Sequence, residues 1–319
     1  MPPIHLAAGN LRCTVLPEIG GGISDFSVIG PGKFAYPLMR RAMPGETNPS
    51  SLGSFFMAPW VNRIGSATFD FGGVTHRLRP NAPTPGAPAQ HGDVRARAWK
   101  VVSSVPDRLE LSFDSVEYQN MNWPWRFACR AVYALSGGGT ALRVELSVEN
   151  QDSAPFPAGC GHHPYFMRRL WDDRDELRLS CPVTGRYPLE NGVPTGPARR
   201  EALTELLGAP SGTPVPNEHI DTVFAGFDAA RGATLHYPAS GVRLTVRASP
   251  NMGHLVVYCP HANGLKDTPL GFVAVEPQSQ VNGALNWASW GDGVTGTQVL
   301  GPGERLETWT EFGVVGGGT

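Results

Sequence analysis

Two short segments hold residue types that can do chemistry together. Gly161-His162-His163-Pro164-Tyr165-Phe166 opens an aromatic run with a histidine pair, and Val273-Ala274-Val275-Glu276-Pro277-Gln278 sets one carboxylate between an apolar and a polar stretch. One imidazole and one carboxylate form an acid–base pair, the equipment for moving protons on an uncharged substrate. In an extended segment neighbouring side chains point to opposite faces, so His162 and His163 do not serve one cleft, whereas His163 and Tyr165 share a face. Pro164 lacks a backbone donor, which suits an edge or a strand end. A histidine at a sheet rim beside an aromatic ring fits a groove for a polyol; the alternative is a hydrogen-bonded structural histidine. Glu276 follows an apolar run that reads as a buried strand, and a carboxylate there needs a reason because burying charge is costly. It either caps local backbone groups or takes part in chemistry. Pro277, Gln278, Ser279, Gln280 and Asn282 then read as a polar loop of low charge.

Further candidates are weaker singly. Arg63 places a fork-shaped donor in the apolar stretch Ala58-Pro59-Trp60-Val61-Asn62-Arg63-Ile64-Gly65, where a structural ion pair is the plainer account. His91, in Gln90-His91-Gly92-Asp93 after a proline-rich loop, is expected on an exposed bend. Asp221 begins the apolar run Ile220-Asp221-Thr222-Val223-Phe224, where capping is the plainer account. Cys160 stands three residues before His163, but a small buried apolar residue explains it better than a nucleophile does.

The elements that must position these groups read as strands. Leu142-Arg143-Val144-Glu145-Leu146-Ser147-Val148-Glu149 alternates apolar and polar residues without a break, and Leu109–Phe113 and Val242–Arg247 do the same, each marking a strand with one buried face. With 39 glycines and 30 prolines spread along 319 residues, long helices have little room and short strands joined by turns are favoured. One helix is predicted, at Arg200–Leu207, with Gly208 to stop it and Pro210 beyond. Pro80 to Pro88 and Gly208 to Pro216 read as loops, and no linker divides the chain. The expected fold is therefore all-β: one large antiparallel β-sandwich domain over residues 1–319.

Composition removes several function classes. A formal net charge of -2, with basic runs no longer than pairs such as Arg40-Arg41 and Arg199-Arg200, lacks the footprint of a nucleic-acid binder, and these pairs read as solvated surface. No stretch approaches the roughly 20 apolar residues that span a bilayer, and Met1-Pro2-Pro3-Ile4-His5-Leu6 does not read as a secretory signal. The five cysteines are widely spaced and include no Cys-x-x-Cys pair, which supports neither a zinc site nor a disulfide framework. The expectation is a cytoplasmic protein with reduced thiols and no metal or other cofactor.

In order along the chain, Asn62-Arg63-Ile64, His91-Gly92, His163-Pro164-Tyr165-Phe166, Ile220-Asp221 and Glu276-Pro277-Gln278 resemble the aldose 1-epimerase family, the galactose mutarotases. Each match is short; five in the family's order, from about residue 55 to residue 290, are specific. The resemblance implies a β-sandwich of the supersandwich type and interconversion of the α and β anomers of a free hexose. It implies His163 as the catalytic acid and Glu276 as the catalytic base. Arg63, His91 and Asp221 match residues that hold sugar hydroxyls, and Gln278 is assigned the same task. Ordinary pKa values of about 4.3 and 6.5 bracket the range in which a carboxylate and an imidazolium coexist, and a carboxylate beside the imidazole would raise the histidine value. The chain departs from the better-known members where His162 precedes the catalytic histidine, where Met167-Arg168 follows Phe166, and in Asp93-Val94-Arg95-Ala96-Arg97 after His91-Gly92, so the edge of the sugar site differs.

Three other readings compete. A hexose-6-phosphate mutarotase would meet a phosphate with Arg95, Arg97 and Arg63, although Asp93 lies in the same loop and the arginine-glycine-glycine segment of that branch is missing. A non-catalytic carbohydrate-binding protein would stack sugars on Trp123, Trp125 and Tyr165, although core packing accounts for at least one tryptophan and binding needs no acid–base pair. A glycoside hydrolase would need a second carboxylate, for which Asp221 is the candidate. The expected partner is a small sugar, an aldohexose, with no nucleic acid or membrane, and the chain acting as a monomer or homodimer.

Overall fold

The structure, a computed structural model, describes residues 1–136, 138–261, 269–287, 289 and 291–316, apart from the side chains at 206 and 292. It is built almost wholly of antiparallel strands, with α-helix among the described residues only at Ala202–Gly208 and Asp292–Thr295. The first of these is the predicted helix shifted by one to two residues, with Gly208 as its last residue. None of the described helices is long and apolar enough to cross a membrane.

Two sheets carry the architecture. The larger runs in the order Lys100–Val105, Arg108–Asp114, Phe127–Leu135, Ala141–Asn150, Arg305–Val315, Val242–Ala248, Ala233–Tyr237, Arg178–Ser180 and Thr213–Pro214. The second runs Gly185–Arg186, Ile220–Ala225, His254–Cys259, Phe272–Gln278, Gly161–His162 and Phe56–Met57, and Tyr165–Met167 also pairs with Phe272–Gln278. The alternation seen in the sequence is the burial alternation of the large sheet: Ala141–Asn150 is half-buried and buried at successive positions along its whole length. Its buried set meets the second sheet in one apolar core, where Phe312 lies 5.9 Å from Phe166 and Tyr133 5.9 Å from Phe56 between ring centres; a four-stranded sheet of Ile4–Ala8, Leu11–Leu16, Gly22–Ile29 and Ala35–Pro37 joins this core through Phe26, 6.2 Å from Phe312. This is the expected β-sandwich.

The central strand of the second sheet, Phe272–Gln278, is buried on both faces. Val273 and Val275 belong to the sandwich core, whereas Ala274 packs with Phe55, Met57, Val61 and Tyr165 in a separate cluster on the other face. The two-residue period then sends Glu276 and Gln278 to that second face. The neighbouring segments divide in the same way, with Phe56 and Phe166 inward and Phe55, Met57 and Tyr165 outward. The expected loop after Glu276 is corrected here: the strand continues through Pro277 to Gln278, which pairs with His254 on one side and Gly161 on the other.

Candidate active site

The outer face of the second sheet brings together residues far apart in the chain. His163 Nε2 lies 3.1 Å from Glu276 Oε1, and both side chains are almost wholly buried. Glu276 reaches this point from its strand, and His163 from the turn between Gly161–His162 and Tyr165–Met167, where its N–H donates to Phe55 O at 3.0 Å. The His163 ring packs against both Phe55 and Tyr165, at 4.5 and 4.6 Å between centres. His162 points the other way, against Phe56 at 5.0 Å, as strand geometry requires. His163 Nδ1 and Glu276 Oε2 have no hydrogen-bond partner among the described residues.

His91 belongs to the same group, and its expected exposed bend is corrected. Its ring centre lies 5.3 Å from that of His163 and 5.5 Å from that of Phe55, and its Nδ1 is 3.0 Å from Met57 Sδ. The bend folds inward because His91 (φ 64°) and Gly92 (φ 68°) are both left-handed, which sets Gly92 against Ala58 in a parallel bridge. Arg63 Nη2 donates to Asp221 Oδ2 at 3.1 Å, so these two candidates come together as an ion pair and Asp221 does not cap its strand. The tip of the hairpin Leu189–Glu190/Val193–Pro194 presses on that guanidinium: a Cβ on Gly192 would stand 2.5 Å from Arg63 Nη1. Gln278 Nε2 donates to Asn282 Oδ1 at 3.0 Å, and its buried Oε1, on the Glu276 face, has no hydrogen-bond partner among the described residues.

Burial governs the electrostatics. It raises the Glu276 carboxyl well above the usual carboxylate range; Asp221 adds to the rise and Arg63 opposes it. Burial also pulls the His163 imidazole well below its ordinary value, helped by the positive charges of Arg95 and Arg40. The sequence expectation of a raised histidine is corrected: desolvation leads, and the guanidiniums of Arg95, Arg40 and Arg63 add to it. His91 is lowered for similar reasons, burial first and then His163, Arg95 and Arg63. Both shifts favour the uncharged forms, a neutral carboxyl against a neutral imidazole, over a carboxylate against an imidazolium.

Other candidates are placed elsewhere. Trp123 is buried in a stack with Trp60 and Phe69, at 5.3 Å from each, and Trp125 packs on Phe156 at 5.8 Å. The five cysteines are buried and unpaired, and burial pushes the Cys160 thiol up to about 12, which removes its thiolate. Arg97 is tied to Asp93 at 3.0 Å. Arg40 is the residue that sequence reasoning missed. It is half-buried, it donates to the carbonyls of Ser50 and Leu52, and its Cζ lies 4.0 Å from the centre of the Tyr165 ring. The solvated-surface reading holds for Arg41, which pairs with Asp25 at 3.2 Å, and fails for Arg40. Among the described residues no three His, Cys, Asp or Glu side chains are grouped to hold a metal ion.

Comparison with known proteins returns a family model described as aldose 1-epimerase, which matches residues 3–313. The uncharacterized protein YphB of Escherichia coli (strain K12) is 25% identical over 301 residues, 94% of each chain. A galactose mutarotase-like protein from Clostridium acetobutylicum superposes with a TM-score of 0.84 at 19% identity, covering 98% of this chain and 95% of that one. The GalM/aldose epimerase homologue from C. elegans superposes with a TM-score of 0.77 at 18% identity, covering 99% of both.

Proposed function

The chain belongs to the aldose 1-epimerase family, and from that premise we propose that it interconverts the α and β anomers of a free aldose by acid–base ring opening, as one domain over residues 1–319. The observation that carries this reading is the 3.1 Å contact between His163 Nε2 and Glu276 Oε1. Mutarotation asks for one proton to leave the C1 hydroxyl and one to reach the ring oxygen. Those two oxygens are bonded to the same carbon, so the groups that serve them must be neighbours.

One proton shared across the contact suffices. Transfer across the contact gives a carboxylate and an imidazolium. Glu276 takes the hydroxyl proton and His163 gives its own to the ring oxygen. The bond from C1 to the ring oxygen breaks as C1=O forms. Rotation about C1–C2 presents the other face of the aldehyde, and closure returns each proton to its donor. Each positioned group contributes about 10² to 10⁴-fold. Arg63 and Asp221 as a donor–acceptor pair, His91, and Gln278 Oε1 hold the sugar hydroxyls. The reaction is redox-neutral and needs no cofactor. We read the site as that of a cytoplasmic enzyme.

Saturation-transfer NMR between the anomers of D-glucose and D-galactose tests the reading. Wild type is expected to accelerate exchange, and Glu276→Gln and His163→Asn, each folded by circular dichroism, are expected to lose at least about 10²-fold. Exchange unaffected by either substitution would overturn the assignment. Sugar binding with no exchange would favour the carbohydrate-binding alternative.

A further inference from the structure

Two guanidiniums beside the acid–base pair have no part in that reaction. Arg40 and Arg95 come from separate segments, yet both end on Ser50: Arg40 Nη2 donates to its carbonyl and Arg95 Nη1 to its hydroxyl at 2.7 Å. Arg40 Nε adds a bond to Leu52 O at 3.2 Å. Arg40 Cζ stacks over Tyr165 at 4.0 Å and Arg95 Cζ over Phe55 at 5.1 Å, the two rings that pack against His163.

Every one of these bonds goes to a neutral acceptor. Among the described residues neither guanidinium lies within ion-pair distance of a carboxylate, and the nearby acids are engaged elsewhere. Asp93 pairs with Arg97 at 3.0 Å and Asp221 with Arg63 at 3.1 Å. Glu46 accepts from the N–H groups of Thr47 and Asn48 at 2.9 and 2.7 Å. Two like charges gathered on one serine repel each other, and partial burial weakens the solvation that would offset this. Guanidinium forks are the side chains best matched to carboxylate and phosphate oxygens.

We propose that the aldose taken by this site carries an anionic group, a carboxylate or a phosphate ester, clamped between Arg40 and Arg95; this rests on the anomer-interconverting function above and names its substrate class. The clamp also bears on the chemistry. The charges of Arg95 and Arg40 help to hold His163 in its neutral form. An anion between them offsets part of that field and so favours transfer of the shared proton to His163.

The test compares D-glucose, D-glucuronate and D-glucose 6-phosphate by saturation-transfer NMR and by calorimetric binding, in wild type, R40Q and R95Q. At least one charged sugar is expected to exceed D-glucose about tenfold in kcat/KM, and each substitution to reduce that ratio about tenfold. R95Q keeps the test open if R40Q does not fold, because among the described residues the Arg95 side chain gives one hydrogen bond, to Ser50 Oγ. The charged sugar that gains separates a carboxylate site from a phosphate site. Charged sugars handled no better than D-glucose, or losses equal for all three, would overturn the clamp and leave the anomerase standing. Tight binding of a charged sugar that depends on both arginines, without exchange, would support the clamp and remove the anomerase. Neither exchange nor selective binding would remove both.

Discussion

Glu276 gives one carboxyl oxygen to His163 at 3.1 Å and keeps the other, Oε2, buried with no partner among the described residues. A carboxyl placed for stability alone would have both oxygens satisfied. Burial favours its neutral form and raises its pKa well above the ordinary carboxylate value. A raised folded value means that the stability it contributes is fully present below the unfolded value of about 4.3 and is lost as pH rises through the folded value. Glu276→Gln keeps the shape of the neutral carboxyl and cannot ionise. It is expected to abolish exchange and yet to raise the melting temperature by roughly 2 to 4 °C at neutral pH, with the difference closing towards about pH 4. Thermal melts across pH decide this, and a variant less stable than wild type at neutral pH would contradict it.

The same directions shape the rate profile. Below the lowered His163 value the pair takes up a further proton, and above the raised Glu276 value it loses the one it shares. Activity is therefore expected on a plateau between two limbs, the acid limb lying below 6.5. Asp221 is the second cause of the Glu276 rise after burial, so Asp221→Asn should move the alkaline limb to lower pH. Releasing Arg63 from its ion pair pushes the same way. Profiles of kcat/KM from anomer exchange measure the shift, and an alkaline limb that moves up or stays fixed would count against Asp221 as its cause.

What the sequence disclosed, and what it hid, follows from the range of the interactions. Ala141–Asn150 was legible because its alternation is the local signature of a strand with one wet face. His163 and Glu276 stood out because polar groups beside apolar runs violate that pattern. Arg40 was hidden because nothing in its neighbourhood along the chain marks it. Its carbonyl acceptors lie at Ser50 and Leu52, and its backbone N–H donates at 2.7 Å to Tyr165 O, more than a hundred residues away. His91 was misplaced for a related reason: a proline-rich loop predicts exposure, and the pairing of Gly92 with Ala58 that turns the bend inward joins distant segments.

That pairing makes Gly92 indispensable. A Cβ at this position would stand 1.8 Å from Ala58 O, on a backbone with φ of +68°. The left-handed conformation alone costs a side chain about 1–3 kcal/mol, and the clash cannot be relieved by a rotamer because the neighbour is main chain. Gly92→Ala is expected to lower the melting temperature by roughly 5 °C or more and to cut exchange by displacing His91. A variant that melts with wild type and keeps its rate would show that the bend is not held by this contact. Gly86, with open space around its Cβ position, is the control at another left-handed glycine.

His162 gives the last test, because it separates structure from chemistry at the adjacent residue. Its side chain is buried beside Phe56 on the core face, and neither ring nitrogen has a hydrogen-bond partner among the described residues. Burial pulls its pKa down to about 3. With a folded value below the unfolded one of about 6.5, its contribution to stability is fully present above pH 6.5 and is lost as pH falls towards 3. His162→Leu, of similar volume, removes both the unmet hydrogen bonds and the titration. It should leave exchange within about threefold of wild type, raise stability at neutral pH by about 1 kcal/mol, and flatten the decline in melting temperature below about pH 6. Denaturant and thermal melts across pH check the second and third outcomes, and anomer exchange the first. A large loss of exchange in a folded His162→Leu variant would mean that the core-facing histidine supports its neighbour in the reaction and is not a buried structural residue.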